Sequence, residues 1–129
     1  MFTLKAIEEA HSRVKTGADF PEFIKELKAL GIIMFDTMVT DSVTVYFGLN
    51  NFVLQSAPKY ESLKISSHLD KSIFTKQLKL HQQDATDYFT FCEDCAQNGI
   101  LKWRMNLIDH TCTYFDVDEN VVLVEHIGQ

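Results

Sequence analysis

DFPEFIKELKALGIIMFDTMVTDSVTVYFGLNNFVL, residues 19–54, and DYFTFCEDCAQNGILKWRMNLIDHTCTYFDVDENVV, residues 87–122, align without a gap at a constant offset of 68. Eight positions are identical: Asp19/Asp87, Phe23/Phe91, Gly31/Gly99, Ile32/Ile100, Asp41/Asp109, Tyr46/Tyr114, Phe47/Phe115 and Val53/Val121. Unrelated segments of this composition share roughly two. Phe20/Tyr88, Ile33/Leu101, Phe35/Trp103 and Asn50/Asp118 are conservative matches. The repeat predicts a duplicated supersecondary unit and supplies an internal control. A residue type that the fold requires recurs in both copies, whereas one required at a single site need not.

Read outward from this repeat, each copy passes from helical to strand periodicity. Residues 3–15 place Ile7, Ala10 and Val14 on one helical stripe. Asp19 is expected to cap a second helix, with Glu22 three residues on, Pro21 in its first turn and Phe20, Phe23, Ile24, Leu27 and Leu30 as its apolar face. Gly31 fits the left-handed residue that ends a helix. IIMFDTMV, VTVYF and FVLQSA then read as an antiparallel meander, and LKWRMNLI, TCTYF and VVLVEH as its counterpart. Trp103, Met105 and Leu107 alternate with Lys102, Arg104 and Asn106, as on a sheet with one face buried and one wet. The expected fold is α+β, an internally duplicated ααβββ unit with antiparallel sheet or sheets packed on helices. One domain spans 1–129, with repeats at about 3–57 and 70–126 and a polar connector near 58–69. Pattern alone leaves the strand order open.

Composition narrows the function classes. With 46% hydrophobic and 23% charged residues, the chain is expected to fold throughout. A net charge of −6 opposes a general affinity for nucleic acid or anionic membrane. Lys71, Lys76 and Lys79 read as the solvated face of a helix. Charges at Lys5, Glu8 and Glu9 interrupt the N-terminus where a signal peptide needs an apolar stretch, and three cysteines suit a reducing compartment, so a cytoplasmic location is expected.

The side chains that could carry chemistry are few. Cys92 and Cys95 form a CxxC, but it lies inside a helix and matches Ile24 and Leu27 of the first copy, which predicts core packing rather than redox work. A metal site would need Cys92, Cys95, His110 and Cys112 together, a set with weak spacing; no cofactor is expected. Cys112, His110, Tyr46 and Tyr114 are the candidates for catalysis. Trp103 and Arg104 are candidates for lining a ligand cleft between the copies, as an apolar wall and an anion contact. No GxSxG, HExxH, GxGxxG or phosphate loop occurs.

The segments FCEDCAQNGILKWRMNLIDHTCTYFDVDENVVLVEHI, ADFPEFIKELKALGI and VYFG resemble the uncharacterised YbcV-like family of small bacterial and prophage-encoded proteins, over essentially the whole chain. The resemblance implies a bacterial or phage-associated cytoplasmic protein and carries no activity, cofactor or catalytic residue. Some members are labelled phage envelope proteins, a label that no signal, span or repeat array in this sequence supports. The function expected is a non-catalytic binding or regulatory module. It is expected to self-associate as a homodimer and to recognise a small molecule or protein. The alternatives are a small enzyme using a thiol, His or Tyr, and a phage structural component.

Overall fold

The computed structural model describes residues 1–127. The first half runs α1 (Leu4–Ser12), a short 3-10 turn at Gly17–Asp19, α2 (Phe20–Ala29), β1 (Ile32–Met38), β2 (Thr44–Gly48) and β3 (Val53–Gln55). The second half runs α3 (Lys71–Gln82), α4 (Tyr88–Gln97), β4 (Ile100–Asn106), β5 (Thr111–Asp116) and β6 (Val121–His126). The fold is therefore α+β, four α-helices with a six-stranded antiparallel sheet, ordered β3-β2-β1-β4-β5-β6.

Local chemistry explains most boundaries. The Thr3 hydroxyl accepts from the Ala6 N–H at the start of α1, and the carboxylates of Asp70 and Asp87 accept from Ile73 and Thr90 at the starts of α3 and α4. Asp19 corrects the sequence reading. It makes no side-chain cap on α2, because its carboxylate turns back to the N–H groups of Lys15 and Thr16, closing a capping box on the 3-10 turn ahead of it. Gly31 and Gly99 close α2 and α4 with φ of 96° and 84°.

The two meanders join through β1 and β4, which pair antiparallel so that Phe35 faces Met105, Asp36 faces Arg104 and Thr37 faces Trp103. Strand pleating then sorts the side chains onto two faces. On one, Phe35, Thr37, Trp103, Met105, Cys112 and Tyr114 are buried beneath the helices. Trp103 packs on Tyr88 and Phe91 of α4, and Tyr114 on Phe74 of α3. Ile24, Leu27, Phe74 and Leu78 from α2 and α3 join one core that crosses both halves. Each such side chain stabilises by about 1.5–3 kcal/mol through burial.

The connector passes around the end of the β1–β2 hairpin. Lys59 N–H donates to Asp41 C=O, Leu63 N–H to Thr40 C=O and Ser66 N–H to Ala96 C=O. The Tyr60 hydroxyl donates to the Val39 C=O at 2.6 Å. These bonds hold the connector toward the helical layer, so the second face of the sheet carries no helix among the described residues.

Candidate functional site

The three thiols are free and buried, Cys92 and Cys95 at 0% exposure and Cys112 at 5%. Burial raises all three above the usual thiol range, Cys112 to about 12, because a low-dielectric interior disfavours the thiolate. Cys92 and Cys95 face the core from within α4, as the matching Ile24 and Leu27 do from α2. Desolvation likewise pushes Tyr114 well up and raises half-buried Tyr46. The two tyrosines stand on β5 and β2, three strand spacings or roughly 14 Å apart. Tyr114 packs among Phe74 and Trp103, and Tyr46 against Phe35.

His110 sits in the β4–β5 turn at φ 56°. Lys28 Nζ lies 3.2 Å from its Nε2, and its Nδ1 is buried without a hydrogen-bond partner among the described residues. Cys112 turns its side chain into the core beside Tyr114, while Asp109 accepts from the Asn106 amide. Among the described residues no group of three or more His, Cys, Asp or Glu is placed to hold a metal ion.

Trp103 and Arg104 fall on opposite faces of the sheet, so they do not share a wall. Arg104 instead organises the uncovered face. Its Nε and NH2 donate to the two carboxylate oxygens of Asp36 at 2.7 and 2.8 Å. Its guanidinium lies 5.9 Å from the Phe115 ring centroid, and Lys102 Nζ lies 5.1 Å from the same ring while pairing with Glu119 at 2.8 Å. The Asp36 pair holds Arg104 above its ordinary range, and Lys102 holds Glu119 below its own. Around this centre, cross-strand registers place Met34, Val45, Phe47 and Val53 to one side and Phe115, Val121 and Val124 to the other. Asp36 is buried at 8%, whereas Val53, Val121 and Val124 are 50–59% exposed. The result is a broad, open sheet face with apolar wings and a centre whose charges are already paired.

Sequence reasoning missed Asp36. The offset held only part of the signal: Asp36 and Arg104 are 68 apart and so occupy matched positions of the two first strands, but it is the register of the long-range pairing that sets them opposite each other. A second missed group bridges the halves. Ser42, fully buried in the β1–β2 turn at φ 63°, hydrogen-bonds the Tyr88 hydroxyl at 2.6 Å. Burial raises Tyr88 as well, although the residue as a whole is 40% exposed. Ser42 occupies the position matched by His110, and both turns are left-handed.

A family described as "Protein of unknown function (DUF1398)" matches residues 8–126. The chain belongs to this family. No curated protein matches the chain. In this DUF1398 protein the match runs from within α1 to the end of β6, and so takes in both the buried thiols and the uncovered face. No helix among the described residues is long and apolar enough to cross a membrane.

Proposed function

We propose that the chain is a non-catalytic binding module of bacterial or prophage origin that works in the cytoplasm and recognises its partner through the uncovered sheet face. The observation that carries this reading is the contrast between the two faces. Every thiol lies buried under the helices, where desolvation raises it above its ordinary range and disfavours the thiolate, whereas the opposite face offers apolar side chains and paired charges to solvent. Half-exposed Val53, Val121 and Val124, flanked by the partly buried Phe47 and Phe115 on one surface, mark it as an interaction site.

Thiol chemistry tests the reading. Native protein treated with iodoacetamide at pH 8 is expected to label Cys92, Cys95 and Cys112 only as fast as the fold opens, with full labelling in denaturant. A cysteine that reacts in the native state as fast as a free thiol, with a midpoint below its ordinary range, would overturn the non-catalytic reading.

A further inference from the structure

We propose that the partner of the uncovered sheet face is a second copy of this chain, bound face to face in a helix–sheet–sheet–helix dimer. This rests on the binding-module reading and adds the identity of the partner. Three observations point to it.

The first is shape. Six strands about 4.8 Å apart and about five residues deep give a projected footprint on the order of 500 Å² before side-chain relief, the right order for the ~800 Å² per partner of a standard interface. The surface is a face, not a cleft. A notch of about 150 Å³ lies elsewhere, at the end of α2 beside Gly31, Leu107 and Ile108. An open face of a twisted antiparallel sheet suits another sheet of the same twist, since such sheets pack face to face about 10 Å apart with strands about 30° from parallel.

The second is charge. The chain carries −6, yet on this face two cations, Lys102 and Arg104, meet two anions, Glu119 and Asp36. The centre of the face is therefore neutral, and the exposed Asp109 carboxylate, bonded by the Asn106 amide, lies at its β4–β5 end. Two copies meeting here cover central ions that already have partners, which avoids the larger penalty of leaving a buried charge uncompensated. Their net charges are kept apart by two sheet layers, beyond the ~8 Å screening length of physiological salt. An anionic membrane or nucleic acid would need surplus cations that this face does not offer.

The third is self-complementarity. Apolar side chains flank the polar centre on both sides, with Phe47 and Val53 toward β3 and Val121 and Val124 toward β6. A two-fold axis in the plane of the interface and along the strands, between β1 and β4, sets apolar wing on apolar wing and each Asp36 over the other copy's Arg104, as a closed isologous dimer requires, whereas an axis across the strands would set Asp36 on Asp36.

Native mass spectrometry and sedimentation velocity of the full chain at about 1–100 µM are expected to show a discrete dimer. Val53→Lys and Val121→Lys remove only side chains already more than half exposed, so each should keep the circular dichroism spectrum while weakening dimerisation at least tenfold. His126→Pro separates face from edge. Ile127 N–H donates to His110 C=O, so alternation turns the His126 N–H away from β5. Its loss would block pairing through the β6 edge and leave every apolar wing residue in place. A monomer at 100 µM, a dimer lost in His126→Pro but kept in both Val53→Lys and Val121→Lys, or an open series of oligomers would overturn the proposal. A monomer with inert thiols would overturn only the self-association and leave the binding-module reading intact.

Discussion

Asp36 and Arg104 stand at matched positions of the two halves, and the antiparallel seam sets them against each other at its centre. The bidentate geometry favours a real interaction, but the Arg104 side chain is 37% exposed, which limits its strength. We expect a double-mutant cycle over Asp36→Ala and Arg104→Ala, read by urea unfolding, to give a coupling of about 1 kcal/mol. Simple additivity would mean that the pair is only a surface contact. The same scale shows how local readings can mislead. A Ser/Thr/Asp before a helix is usually its cap, and Asp87 behaves so, yet Asp19 is claimed by the turn before α2. Nothing in the one-dimensional pattern distinguishes the two, because the competing N–H groups of Lys15 and Thr16 come from a turn that has no counterpart before Asp87.

At the scale of elements, the helix-to-strand junctions divide two glycines that the sequence makes equivalent. A Cβ on Gly31 would meet nothing within 4 Å, whereas one on Gly99 would lie 2.7 Å from the His68 C=O and 2.9 Å from Leu69 Cα. Both are left-handed. Gly31→Ala should therefore cost about 1 kcal/mol of backbone strain. Gly99→Ala, which must also displace the connector backbone, should cost at least about 3 kcal/mol in thermal or urea melts. Equal losses would mean that the connector yields. Much of the element order was legible in the sequence because burial imposes periods: the Phe23, Ile24, Leu27 stripe of α2 and the Trp103, Met105 alternation of β4 are direct records of a buried side. The segment FVLQSA was read too long as a strand: β3 is Val53–Gln55, and the backbone leaves β2 after the Ser56 N–H donates to the Thr44 C=O. Strand order and the Asp36–Arg104 pair depend on long-range pairing, which leaves no local period.

For the whole molecule, the one-sided core makes stability sensitive to alkali. Cys112 is raised to about 12 in the fold against 9.0 for its ordinary value, and Cys92, Cys95 and Tyr114 are raised with it. Below pH 9 both folded and unfolded chains hold these protons and the contribution is complete. Above it the unfolded chain ionises first, so stability falls as pH rises toward 12. We expect the urea midpoint to drop between pH 8 and pH 10.5, and the drop to shrink in Cys112→Ala once its packing loss at pH 7 is subtracted. A midpoint that stays level would show that the thiols are solvated.

The β1–β4 seam also sets a clock. Its partners are 68 residues apart, so at a synthesis rate of about 5–20 residues per second β1 waits roughly 3–14 s for β4 to emerge from the ribosome. Throughout that interval β1 is a bare edge, and nascent chains on neighbouring ribosomes present the same edge to one another. Pairing two β1 strands in the register that β4 uses would set Asp36 against Asp36, a like-charge contact at the middle of the joint. The residue that locks the finished sheet thus also discourages the premature one.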